Sequence, residues 1–129
     1  MIRTYRFDPI TTSGADGSAT GTATSTYPIT GEIKSVHVDY TNQPGTTDVT
    51  IATMHAPVIT LLTLTDNAAD GLWHPRAILH DAAGAAVTYD GTNELYGCFV
   101  IDDYVKVTVA QADGSGGDET VQVTLFYEA

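Results

Sequence analysis

Four histidines, His37, His55, His74 and His80, are the side chains best suited to hold a metal or to move a proton. None are spaced as His-x-His or His-x3-His. His74 and His80, split by Pro75, could share a face only on a bent strand. The expectation is therefore surface or loop histidines and no metal. Asp66-x3-Asp70-Gly71 has the outline of a calcium loop, but it lacks alternating oxygen ligands and a distal glutamate, so it reads as a polar turn. Asp102-Asp103 could be a carboxylate pair, or the solvated entry to the strand that begins near Tyr104. Gly114-Ser115-Gly116 lacks the strand-turn-helix setting of a nucleophile elbow, and with Gly117 it lacks the lysine of a phosphate loop. Cys98 lies in the apolar run Tyr96-Gly97-Cys98-Phe99-Val100 and reads as a small buried hydrophobe. With few cations in the chain, nothing nearby is expected to activate it. No catalytic residue and no cofactor are expected, and the chain reads as a non-enzyme.

Trp73, between Leu72 and His74-Pro75, is the aromatic with most to say. Its large rigid face suits three roles: closing one end of a core, anchoring a subunit contact, or stacking on a sugar. A second cluster sits at the start of the chain, where Ile2, Tyr5, Phe7 and Ile10 are apolar and Arg3 and Arg6 supply two of only five cations. Their spacing of three, two and three fits neither a clean strand nor a helix stripe. Asp8-Pro9 interrupts backbone pairing, and Thr11-Thr12-Ser13-Gly14 resembles a joint. Residues 1–13 are therefore expected to form an N-terminal arm or edge strand, ahead of a domain over residues 14–129. The candidate subunit-interface residues are Ile2, Arg3, Tyr5, Arg6, Phe7 and Trp73.

The elements that must position these residues are strands. The chain has 129 residues, enough for one core. Threonine occurs 21 times, Val, Ile and Tyr are plentiful, and the polar helix formers are scarce. Four Asp-Gly pairs and Pro44-Gly45 punctuate the chain with turns. Strand character covers Ile2–Asp8, Ser18–Tyr27, Glu32–Tyr40, Asp48–Met54, Val58–Thr65, Ala77–His80 with Ala86–Tyr89, Asp103–Gln111 and Glu119–Tyr127. In Glu32–Tyr40, Val36, Val38 and Tyr40 share one face and Ile33 falls on the other. Val58–Thr65 is apolar on both faces, as a covered central strand would be. Val105, Val107 and Val109 alternate inward, as do Val121, Val123, Leu125 and Tyr127. The linker Asp113-Gly-Ser-Gly-Gly-Asp118 reads as the flexible tip of a hairpin joining these two. The fold class is all-β: a single antiparallel β-sandwich of about eight strands, jelly-roll-like or immunoglobulin-like.

Charge removes whole classes of partner. Sixteen acidic against five basic residues give −11 at pH 7, so attraction to nucleic-acid phosphates or anionic membranes is not expected. No apolar run approaches a membrane span, and none follows Met1-Ile-Arg-Thr-Tyr-Arg-Phe7 as a secretory signal would require. A lone cysteine suits a reducing cytoplasm.

The runs Asp16–Ala52, Thr60–Ala85 and Asp102–Tyr127 resemble small virion structural proteins of tailed bacteriophages, most closely the capsid decoration, or cement, proteins. The likeness lies in Thr/Ala/Gly-rich strands, acidic turns, few lysines and phrases such as Val36-His-Val-Asp-Tyr40. It implies a protein made in the host cytoplasm that binds the virion exterior. Its implied partners are the major capsid protein and copies of itself, forming an oligomer on the particle. Neck, tail or fibre-base components and carbohydrate-binding sandwiches are the alternative readings.

Overall fold

The computed structural model describes all 129 residues. Its strands are β1 (Ile2–Arg6), β2 (Ile10–Thr11), β3 (Ala19–Thr24), β4 (Ile29–Thr41), β5 (Asp48–Thr53), β6 (Thr60–Leu64), β7 (Gly71–Trp73), β8 (Ala77–Ile78), β9 (Tyr96–Gly97), β10 (Phe99–Asp103), β11 (Val105–Ala112) and β12 (Thr120–Glu128). There are no helices. One sheet runs β1-β12-β4-β10, with β2 also on β12 and β7 also on β4. The other runs β3-β11-β5-β6, and β8 with β9 forms a separate small sheet. All pairings are antiparallel. The fold is a β-sandwich, with more and shorter strands than the expected eight because turns break the middle of the chain.

Alternation builds the core. Val49 and Ile51 of β5, Val105, Val107 and Val109 of β11, and Val121, Val123 and Leu125 of β12 are all fully buried. Burying each such side chain contributes roughly 1.5–3 kcal/mol before ordering costs.

Three expectations change. The expected terminal hairpin does not form, because β11 pairs with β3 and β5 while β12 pairs with β4, β1 and β2. Both strands carry an unbroken valine face, and both faces are satisfied when the strands lie in opposite sheets across the core. The linker between them is held at its tip: Glu119 accepts the N–H groups of Gly116 (2.8 Å) and Asp118 (3.1 Å), and Asp113 accepts that of Ser115 (2.9 Å). Ile33 does not face outward but is fully buried with Val36 and Val38. A register shift opposite Phe126 and Tyr127 inserts Lys34 as an extra residue, so the alternation resumes with opposite parity. Val58–Thr65 is not a central strand. Its regular part, β6, is the edge of its sheet, with Leu61 and Leu64 buried and Thr60 and Thr63 exposed.

Of the two forms expected for residues 1–13, arm or edge strand, the structure shows the second, within this chain's own sheet. Residues Ile2–Arg6 pair with Thr124–Glu128, and Ile10–Thr11 with Thr120–Val121. Tyr5, Phe7 and Ile10 belong to the core. Tyr5 meets Phe7 and Tyr27 edge-on, at centroid separations of 4.8 and 5.1 Å. Its hydroxyl accepts the Thr26 N–H at 2.8 Å. The supposed joint is fixed too. Thr12 is buried, and Ser13 exchanges backbone hydrogen bonds with Thr20 at 3.0 and 3.1 Å.

Candidate functional site

Two surfaces carry features beyond a closed sandwich. The first is a groove of about 410 Å³ between β10 and the β5–β6 loop, lined by Thr53, His55, Ala56, Pro57, Ile59 and the consecutive residues Val100–Asp103. Asp103 ends β10 and orients that loop. Its Oδ1 lies 2.6 Å from His55 Nδ1, and its Oδ2 accepts the His55 N–H at 2.7 Å. These two bonds, the ring contact first, hold the Asp103 carboxyl below its ordinary range; the Tyr104 N–H adds to them. Asp102 and Asp103 are not a carboxylate pair, because strand alternation sends them to opposite faces. Asp102 instead accepts the Thr30 hydroxyl at 2.7 Å. The groove has no serine or cysteine in its lining. Its one fixed hydroxyl, that of buried Thr53, already accepts the Ile59 N–H at 2.8 Å. The histidine–aspartate contact therefore has loop positioning as its visible role. Sequence reading named both residues separately and missed the pairing, because 48 positions separate them.

The second surface is a lobe over residues 77–97. It has no core of its own and is stitched by backbone bonds in a cycle. Leu79 N–H donates to Leu95, Leu95 N–H to Val87, and Val87 N–H to Leu79, each at 2.9 Å. Asp81 caps one turn by accepting the N–H groups of Ala83 and Ala85. Asp90 caps the other with those of Asn93 and Thr92, which hold its carboxyl below the ordinary range. A turn at Asp81–Gly84 joins the segments before and after it, with a bridge between His80 and Ala86. The strand partner of β8, however, is the later segment β9. The eight-residue spacing of Leu79, Val87 and Leu95 was the signal that could have revealed this third limb. The lobe exposes Ile78, Leu79, Tyr89, Leu95 and Tyr96, with Tyr89 and Tyr96 at 67% and 57%. No Lys or Arg occurs between Arg76 and Lys106.

The six candidate interface residues are scattered between these surfaces and the core. Ile2, Arg3 and Arg6 are exposed along β1, whereas Tyr5 and Phe7 are buried within their own chain and cannot anchor a partner. Trp73 is half-buried in β7, opposite Val36, and packs against the core. A Cβ on Gly71 would lie 2.9 Å from its ring, so the indole folds back across that glycine. That placement fits the core-closing role.

The histidines and the cysteine also have places. No three His, Cys, Asp or Glu side chains converge as metal ligands. Cys98 is half-buried, and its Sγ lies 3.8 Å from Lys34 Nζ, so the expectation of no nearby cation is corrected. That ammonium is chiefly engaged with Glu32 Oε2 at 2.7 Å, which raises its pKa, and lies 3.5 Å from Glu128. No helix is long and apolar enough to cross a membrane. No protein-family model matches the chain, and no curated protein matches it in sequence.

Proposed function

We propose that this chain is a non-enzymatic structural protein of a tailed-phage virion, which binds the outer surface of the capsid shell and stabilises it through subunit contacts. The observation that carries this reading is the 77–97 lobe. Five large apolar side chains stand in water there, on an element with no core beneath them and no cation among them. Exposed apolar groups on an element that has no core of its own suit a protein contact. A backbone-stitched lobe of this kind gains most of its burial only when a partner covers it. The charge of −11 suits the exterior of a shell, away from packaged nucleic acid. The resemblance of the strand and turn phrases is what supports a tailed-phage particle, with the major capsid protein and further copies of this chain as the proposed partners.

A mass-spectrometric inventory of purified particles tests this. The expected copy number is set by the shell lattice. A copy number matching a single ring would place the protein in the neck or tail, and absence from the particle would remove the reading altogether.

A further inference from the structure

We infer that copies of this chain join head to tail, with β1 of one copy adding to the open edge of β10 in the next and continuing the six-stranded sheet. This goes deeper than the assembly reading by naming the surface through which copies meet. It rests on an edge distinct from the lobe.

Geometry comes first. In the sheet order β1-β12-β4-β10, both ends are edges five residues long. With every neighbour antiparallel, β1 and β10 run in opposite directions. A second copy in the same orientation therefore brings its β1 antiparallel to the first copy's β10, the pairing used throughout the sheet.

Backbone polarity agrees. Phe7 N–H donates to Val123 at 2.9 Å, so alternation turns the N–H and C=O groups of Ile2, Thr4 and Arg6 away from β12. Carrying that alternation across β12 and β4, through the extra residue at Lys34, leaves Val100 and Asp102 with their backbone groups facing outward from β10. A groove already runs along this edge. Consecutive residues Val100–Asp103, from both faces of the strand, line it, as an edge-on opening requires.

Charge then selects the occupant. Neither Arg3 nor Arg6 has an ion-pair partner within its own chain, despite sixteen acidic residues. Arg6 shares the outer face with Ile2 and Thr4, and Arg3 lies on the opposite face. On β10, Asp102 and Val100 occupy the outer face and Asp103 the opposite one. With Thr4 opposite Asp102, Arg3 stands opposite Asp103 and Arg6 stands diagonal to Asp102. Each arginine thus meets an aspartate on its own face. In the same register the exposed Val100 lies directly opposite Arg6 and gains the stem of that side chain as a neighbour.

The experiment measures self-association without any particle, by sedimentation of the purified chain up to millimolar concentration at about 0.15 M salt, which screens the repulsion between copies of charge −11. Wild type is expected to associate. Arg6→Glu and Asp102→Arg each change one exposed side chain. Each alone should associate about tenfold or more weakly. An equimolar mixture of the two should associate again, because the reversed β1 of one matches the reversed β10 of the other. Circular dichroism on each variant confirms a retained fold. A wild type that stays monomeric throughout, a variant that associates normally, or a mixture that remains as weak as its parts would overturn the inference. Any of these leaves lobe-mediated shell binding standing, and loss of shell binding by lobe variants would leave the edge pairing standing.

Discussion

Tyr40 shows what one unsatisfied atom does to this sandwich. Its hydroxyl is shielded from water and has no hydrogen-bond partner. Burial first, and the Asp70 carboxylate second, push its pKa up to about 12. The raised value means that the folded state holds the phenolic proton more tightly than the unfolded one. The associated stability is fully present below the ordinary value of 10.0 and is lost as pH rises through about 12. Tyr40→Phe removes the orphaned hydroxyl and should raise stability by about 1 kcal/mol at neutral pH. It should also flatten the alkaline fall in melting temperature, as thermal scans from neutral to strongly alkaline pH will read. At this scale the sequence was informative about types and blind to partners. Asp103, Tyr104 and His55 could each be named, but their contact depends on where a loop returns, which no local pattern encodes.

Gly31 governs the longest element. Its φ is +133°, and a Cβ there would lie within 2.0 Å of the Glu128 carbonyl oxygen. Gly31→Ala must therefore move either β4 or the end of β12, and should cost about 3 kcal/mol or more, read as a lower denaturant midpoint. The first strand gives a second test. Deleting residues 2–13 removes Tyr5, Phe7, Ile10 and Thr12 from the buried set. The truncated chain is expected to lose its cooperative thermal transition, whereas an arm would leave that transition unchanged. Clean alternation made β5, β11 and β12 legible in advance, because each has one apolar face and one polar one. What stayed hidden needed long-range information. The inserted residue at Lys34 reverses the inward face of β4 within one element, and a two-faced apolar run such as Thr60–Leu64 carries no mark of edge or centre. The irregular spacing of Ile2, Tyr5, Phe7 and Ile10 did not separate arm from edge strand, nor mark that two short strands broken at Asp8-Pro9 bury Tyr5, Phe7 and Ile10.

At the scale of the molecule, composition and turn spacing were sufficient for an all-β sandwich, while which strands share a sheet was not readable. Valine faces on successive strands fit a hairpin and an inter-sheet crossing equally well, and the tertiary core decides between them. The lobe escaped for a related reason: its order comes from backbone bonds between residues eight and sixteen positions apart, without a hydrophobic core to announce it. Its exposed Leu79 and Tyr96 nevertheless allow shell binding to be measured against a single surface. Shells lacking this protein are mixed with purified wild type or with Leu79→Asp/Tyr96→Asp, a variant whose changes lie outside the core, and pelleted by sedimentation. Wild type is expected to co-sediment and saturate in fixed proportion to shell subunits, while the lobe variant, with an unchanged circular dichroism spectrum, stays in the supernatant. Wild type that never pellets with shells, or a lobe variant that pellets as wild type does, would contradict shell binding through the lobe.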